Sequence, residues 1–315
     1  MTVKIGINMM GVESLYQGDP RAQLKAAMIA DRCGIDLVSV SDHLLVSRSA
    51  VEEGKYLGGV NFPYGHFDWQ EPAVSLGAIA AVTTRVRLTT AIMVGPLRSP
   101  ALLAKQLATI DALSGGRLEV ALGAGWMEEE FAASGMTFNG RFGFLEEQVV
   151  VCRKLWSDAS WVRHEGKHVS FTDVFAKPRP VQKSGIPVLL GLLPSERNID
   201  RLARVADGWA SPPLAPAAFG EAWGKLKQAL TALGRDASVF QARVPCYAPP
   251  RADGNPDLDA LIGAGRAYID AGATVLDVPL SLLCRDAADI EPLMQLLLTL
   301  KHYAPAPTEP LQMGA

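Results

Sequence analysis

The feature of this sequence that most restricts its fold is a regular alternation of short β-branched runs with longer segments of helical period. Strands of a parallel sheet alternate with helices in this way, as βαβ units. The predicted strands are Val3 to Asn8, Leu37 to Ser41, Val86 to Met93, Leu118 to Leu122, Pro187 to Leu190, Gly208 to Ala210, Gln241 to Tyr247 and Thr274 to Pro279. The predicted helices are Pro20 to Cys33, Glu71 to Val82, Pro100 to Leu113, Arg141 to Trp156, Glu196 to Val205, Pro216 to Leu233, Leu258 to Ala271 and Asp286 to His302. Eight strands and eight helices predict an α/β fold, a single (β/α)8 TIM barrel spanning residues 1–315.

Two connections are too long for simple loops and are interpreted as insertions at about residues 44–70 and 157–186. The second contains an aromatic stretch, Trp161 to Phe171, around a Glu165-Gly166 turn, which predicts a small hairpin. In TIM barrels the active site is built from the βα loops at the C-terminal face. We therefore expect both insertions to lie over that face.

Charge and composition restrict the kinds of partner that the sequence predicts for this chain. With 30 basic and 33 acidic residues the net charge is −3, which argues against nucleic acid as a partner. An apolar stretch of about 18 residues and a signal-peptide pattern are both missing, so the sequence predicts a cytoplasmic chain that does not engage a membrane. The four cysteines lie far apart without metal-binding spacing, which predicts buried thiols and no metal site.

The predicted strand ends are apolar and rich in glycine, except for one titrating pair, Asp42-His43. Histidine exchanges protons near neutral pH, so these two residues are the candidate catalytic groups. The alternative is a structural histidine at a strand end. His164 and His168 have the spacing of a helical metal pair, but the predicted hairpin would not bring them together.

An apolar, glycine-lined mouth fits a flat ring held by backbone and van der Waals contacts. The glycines expected to form it are Gly95, Gly123, Gly125 and Gly191. A dinucleotide fingerprint is not completed, because Trp126-Met127-Glu128 follows Gly125 and no third glycine stands in place.

The helix after Gly191 opens with Ser195 and Arg197, whose backbone N–H groups and guanidinium could hold a phosphate. A simple helix cap is the alternative. His66, Trp69 and Trp126 are candidate substrate contacts. The aromatic content of the first insertion suggests a mostly apolar small molecule.

Several motifs together resemble the bacterial luciferase-like monooxygenase superfamily over roughly residues 1–211. They include Ser114-Gly115-Gly116-Arg117, Gly123-Ala124-Gly125-Trp126, Glu130-Phe131, Lys177-Pro178-Arg179-Pro180-Val181-Gln182 and Ala206-Asp207-Gly208-Trp209. The resemblance implies a (β/α)8 barrel that binds FMN or the deazaflavin coenzyme F420 at the strand ends, and a homodimer.

Ser41-Asp42-His43-Leu44 resembles the F420-dependent branch of that superfamily. The resemblance implies that Asp42 contacts the ring, that His43 acts beside the reacting carbon, and that a cis peptide at Ala91-Ile92 lies behind the ring. One departure is that Leu192 follows Gly191, where the family usually has a second glycine.

The function predicted from the sequence is hydride transfer between F420 and a small organic substrate. One alternative is an FMN-dependent monooxygenase fed by a separate reductase. Another is a flavin-binding protein without turnover.

Overall fold

Nine parallel strands form the wall of a barrel in the computed structural model, which describes residues 2–52 and 67–304. Two of them, β3 and β4, are the two parts of the predicted third strand, so the wall has eight strand positions. The strands of the barrel are β1 (Lys4–Asn8), β2 (Leu37–Val40), β3 (Arg87–Thr90), β4 (Met93–Val94), β5 (Val120–Gly123), β8 (Val188–Gly191), β9 (Gly208–Ala210), β10 (Gln241–Pro245) and β11 (Val275–Pro279). A separate antiparallel hairpin consists of β6 (Val162–Glu165) and β7 (Ser170–Val174). The predicted hairpin in the second insertion is therefore confirmed.

The hydrogen-bonded order β3-β2-β1-β11-β10-β9-β8-β5-β4 leaves β3 and β5 to close the ring. Leu88 of β3 closes it through a parallel bridge to Leu118, just before β5. The Leu88 amide donates to the Arg117 carbonyl at 3.0 Å, and the Glu119 amide donates to the Leu88 carbonyl at 3.0 Å. This topology confirms the predicted TIM barrel.

Helices follow the strands and pack their apolar faces onto the barrel wall. They are α1 (Ala22–Cys33), α2 (Arg48–Glu52), α3 (Pro72–Val82), α4 (Pro100–Ser114), α5 (Glu128–Ala133), α6 (Arg141–Trp156), α7 (Glu196–Val205), α8 (Pro216–Ala232), α9 (Leu258–Asp270) and α10 (Ile290–Leu298). The short helices α2 and α5 were not predicted. The predicted last helix is shorter than expected, because 3-10 turns flank α10 on both sides.

The predicted third strand is interrupted between β3 and β4, at the Ala91-Ile92 peptide, which is cis as the resemblance implied. The Ile92 side chain lies against two neighbouring strands. A Cβ on Gly123 would come 2.2 Å from Ile92 Cδ1, and one on Gly191 would come 2.6 Å from it. A side chain at either strand end would therefore require Ile92 to move.

The cysteines carry thiols without disulfide partners, and three of them are buried, as predicted. Burial raises the pKa of the Cys152, Cys246 and Cys284 thiols to about 12, which keeps them protonated and unreactive at neutral pH. Cys33 is half-buried.

Among the helices of residues 2–52 and 67–304, none combines the length and apolar character needed to cross a membrane.

Candidate active site

The C-terminal ends of the strands surround two connected cavities. The first has a volume of about 270 Å3 and lies beside the ends of β2, β4 and β5. The second has a volume of about 250 Å3 and lies beside the ends of β8 to β11. Both are lined by Met10, Ser41, Ala91, Ile92, Gly191, Leu192 and Leu193. We call Ala91-Ile92, the interruption between β3 and β4, the bulge. A ligand resting on it would contact both cavities.

His43 lines the first cavity and is paired with a buried carboxylate. Its Nδ1 lies 3.2 Å from Oε2 of Glu130, on α5, and both side chains are buried. The other carboxylate oxygen of Glu130 accepts a hydrogen bond from the Leu44 amide at 2.9 Å. The carboxylate therefore lies on the Nδ1 side of the imidazole and can orient the ring.

Two tryptophans enclose the imidazole of His43. The ring of Trp69 stands edge-on to it with centroids 4.6 Å apart, and that of Trp126 stands edge-on at 6.0 Å. Both tryptophans line the same cavity as His43, so the structure brings these predicted substrate contacts together with it. His66, the third predicted contact, lies outside the described residues.

Asp42 also lines this cavity, but its carboxylate is held by a buried guanidinium. Arg98 donates to both oxygens of Asp42, at 2.6 and 3.1 Å, and the Val94 amide donates to one of them at 2.8 Å. Arg98 also donates to Glu71, the N-cap residue of α3, at 2.9 Å. Burial would lower the pKa of Arg98, but the two carboxylates outweigh it and raise that pKa. Asp42 thus ties β2 to β4 and α3, and its contact with a ring stays a prediction.

The second cavity has a charged floor, so the prediction of an apolar mouth with one titrating pair is wrong on that side. Arg243 and Asp277 line it and are both buried, with 4.0 Å between Arg243 Nε and Asp277 Oδ2. Arg243 donates to the Thr89 hydroxyl at 3.0 Å and to the Thr90 carbonyl, next to the bulge. Burial raises the pKa of Asp277, although Arg243 and the Ser39 hydroxyl act in the opposite direction.

The predicted glycines occupy different places. Gly125 and Gly191 line the first cavity, whereas Gly123 faces the Ile92 side chain. Gly95 faces Gln148 and lines neither of the two mouth cavities, so its assignment to the mouth is wrong. Gly125 has a φ of +76°, and a Cβ there would come 2.7 Å from Val94.

A third cavity, of about 540 Å3, opens between the first turns of α6 and α7 and the tip of the β6–β7 hairpin. Its lining includes Ser195 and Arg197, and it shares Phe142 and Asn198 with the first cavity. Ser195 is the N-cap of α7 and accepts from the Asn198 amide, which confirms the helix-cap interpretation. Phosphate binding by Ser195 and Arg197 stays a prediction.

Sequence reasoning missed Glu130, Arg98, Arg243 and Asp277 as members of the site. Glu130 stands in a run of three acidic residues at the start of α5, and the sequence alone does not show which of them is buried. The available signal was its place directly before Phe131, in the Glu130-Phe131 motif that resembles the superfamily.

The barrel and its cavities define a class of protein, a TIM barrel with a ring-sized site at the strand ends. The luciferase-like monooxygenase family model matches residues 4–277, so the chain belongs to that family. The family includes FMN-dependent monooxygenases and F420-dependent enzymes.

Three curated relatives illustrate this range. An uncharacterized Mycobacterium tuberculosis protein is 35% identical over 60% of this chain and 66% of its own length. The FMNH2-dependent dimethylsulfone monooxygenase of Pseudomonas putida is 30% identical over 64% of this chain and 51% of its own. The F420-dependent glucose-6-phosphate dehydrogenase of Amycolatopsis mediterranei is 31% identical over 56% of this chain and 50% of its own. The matches thus span between half and 66% of these relatives.

Solved structures agree on the fold. Monooxygenase RslO1 from Streptomyces bottropensis has a TM-score of 0.74 at 23% identity, covering 96% of this chain and all of that one. An F420-dependent secondary alcohol dehydrogenase has a TM-score of 0.78 at 17% identity, covering 95% of this chain and 99% of that one.

Proposed function

We propose that this protein is an oxidoreductase that transfers a hydride between coenzyme F420 and a small organic substrate. The observation that carries the proposal is the buried His43–Glu130 pair in a cavity whose lining also includes the Ala91-Ile92 bulge. A histidine oriented by a carboxylate is suited to exchanging a proton with a reacting group. The F420-dependent dehydrogenase among the relatives supports the choice of cofactor.

The residues of the mouth fit a flat tricyclic ring. The two cavities, of about 270 and 250 Å3, adjoin across the bulge, and together they reach the about 300–1,000 Å3 typical of small-molecule sites. Their shared lining is mostly backbone and apolar side chain, which suits the faces of a ring. The third cavity leads past Phe142 to the first turn of α7, where helix N–H groups and Arg197 suit a phosphate.

Bound F420 would supply a ring carbon that gives or accepts the hydride. Nε2 of His43 would exchange the accompanying proton with the substrate, while Glu130, beside Nδ1, would orient the ring. Trp69 and Trp126 would exclude water and present an apolar wall to the substrate.

An FMN-dependent monooxygenase is the second candidate, supported by the relative from Pseudomonas putida. Such an enzyme would need a separate reductase to supply reduced FMN. The apolar part of the mouth accommodates either ring, so the cofactor must be decided by measurement.

The deciding experiment is equilibrium binding of F420 and of FMN to the purified apo-protein, with oxygen uptake measured for each reduced complex. We expect F420 to bind at least about tenfold more tightly than FMN, a difference of about 1.4 kcal/mol. Tighter binding of FMN, with oxygen consumed when substrate is added, would replace the proposal with the monooxygenase. Binding without turnover across a broad set of alcohols and carbonyl compounds would favour a flavin-binding protein.

Replacing Glu130 with glutamine should lower turnover by about tenfold or more. The uncharged amide weakens the electrostatic contact that orients His43, and tenfold in rate corresponds to about 1.4 kcal/mol. Steady-state kinetics and cofactor titration would check this. Glu129→Gln is the matched control, because Glu129 is the preceding acidic residue of α5 and is exposed. Equal turnover of the two variants would remove Glu130 from the mechanism.

We also propose a homodimer, formed through the outer face of α3 and α4. Helix α3 contains no charged residue, and the side chains of Val74 and Val82 on it are exposed. Leu102 and Leu113 are exposed on α4, which packs against α3. Lys105 on α4 is exposed, but α3 itself is uncharged, and an apolar helix face of this kind is suited to contact with the same face of a second copy.

Replacing Val74 with aspartate should convert the dimer to a monomer at micromolar concentration, because the partner would have to bury a charge. Light scattering would report the mass. Val239→Asp is the control, since Val239 is 75% exposed and Val74 is 72% exposed. A monomeric wild-type protein, or a Val74→Asp dimer as stable as the control, would contradict the proposal.

A further inference from the structure

The largest of the three cavities lies outside the barrel mouth, in the groove between α6, α7 and the hairpin tip. Its volume of about 540 Å3 is larger than the volume that one phosphate group would fill. The charged residues in its lining are Lys167, Arg197, Arg201 and Glu147. We refer to this cavity as the hairpin groove.

Glu147 is the one carboxylate among the described residues of this lining, and it is already engaged. Glu147 accepts hydrogen bonds from the His168 amide at 3.0 Å and the Val169 amide at 2.9 Å, and lies 3.2 Å from His164 Nε2. Burial would raise the pKa of Glu147, but these donors outweigh it and lower that pKa. Glu147 therefore remains ionised while it fastens the hairpin tip to α6, and its charge is directed at those donors.

The same lining contains two exposed cations, Lys167 and Arg197. Within residues 2–52 and 67–304, no hydrogen bond or ion pair engages the side chains of Lys167 or Arg197. Arg201 is only 8% exposed, with Nη1 donating to Asn198 at 2.8 Å and Nε 3.5 Å from Glu146. Burial, and then the charge of Arg197, lower the pKa of Arg201, while Glu146 acts in the opposite direction.

The hairpin groove is continuous with the barrel mouth. Phe142 and Asn198 line both it and the first cavity, and the guanidinium of Arg201 lies 5.4 Å from the Phe142 ring centroid. A ligand whose ring lies in the mouth and whose phosphate lies at the first turn of α7 would thus extend its far end between Lys167 and Arg197.

We propose that the hairpin groove binds a chain of carboxylates, namely the oligoglutamate tail by which F420 differs from FMN. This inference rests on the proposed function. Flexible carboxylates can pair with the two exposed cations, Lys167 and Arg197, and with the buried Arg201. Positive potential in a concave site also concentrates anionic ligands. The β6–β7 hairpin, which brings Lys167 to the groove, is then a cofactor-selecting element.

The test compares three deazaflavins by fluorescence titration: F420 with its glutamate tail, the phospholactyl form without glutamates, and the ring-and-ribityl form without phosphate. We expect the tailed form to bind about tenfold more tightly than the form without glutamates. In the Lys167→Gln/Arg197→Gln double variant this ratio should fall below about threefold, as it should in the wild type at 1 M salt, where the Debye length is about 3 Å. Lys227→Gln/Arg251→Gln makes the same charge change elsewhere and should keep the wild-type ratio.

The outcomes separate this inference from the proposed function. If every deazaflavin binds and the tail adds less than threefold, the groove proposal is overturned and the hydride-transfer proposal stands. If FMN binds and no deazaflavin does, both are overturned. If the control variant loses the tail preference as fully as the groove variant, the effect is one of net charge and the assignment of Lys167 and Arg197 is wrong.

Discussion

Replacing His43 with alanine should lower turnover by about a hundredfold or more, the usual scale for the loss of a proton-transfer group. Cofactor affinity should stay within about threefold of wild type, because the bulge and the apolar lining that would hold the ring are unchanged. Stopped-flow measurement of hydride transfer, with a parallel fluorescence titration of the cofactor, separates the two effects.

The matched control is His302→Ala, which removes an exposed histidine in the last 3-10 turn. Unchanged turnover in His43→Ala would place the proton transfer on another group. A His43→Ala protein that does not fold would give the imidazole a structural role, and His43→Asn, which keeps a polar group there, would then be the variant to measure.

Replacing Arg98 with methionine should lower the free energy of unfolding by about 3–5 kcal/mol. The substitution removes the bidentate partner of Asp42 and leaves that carboxylate buried without a counter-charge. Urea unfolding followed by circular dichroism would measure the loss. The double variant Arg98→Met/Asp42→Leu should recover part of the stability, because it removes the stranded charge as well.

Arg285→Met is the control for this prediction, since its ion pair with Asp289 is on the surface. Surface pairs of this kind contribute up to about 1 kcal/mol. Equal losses in the two single variants would mean that Asp42 finds another partner or takes up a proton when Arg98 is absent.

The barrel could be predicted because its signal is local and repeated. A strand such as Leu37 to Val40 is buried on both faces, so it appears in the sequence as a short apolar run bounded by polar residues. The cis peptide at Ala91-Ile92 was implied by family resemblance, whereas the run Val86 to Met93 gave no sign that the strand is interrupted.

The electrostatic pairs of the site could not be predicted in the same way. His43 and Glu130 are separated by 87 residues, and Asp42 and Arg98 by 56. Each pair is brought together by the closure of the barrel, and no local sequence pattern indicates it. Gly95 is a second example of this limit, because its position at a strand end did not reveal that it faces Gln148.

The contact of Ile92 with two glycines also governs how the mouth could change over evolution. A side chain at position 123 or 191 would overlap Ile92 Cδ1, so a substitution at either glycine requires Ile92 to change its rotamer or to be replaced by a smaller residue. The three positions are therefore epistatic, because the effect of a substitution at either strand end depends on how position 92 accommodates it.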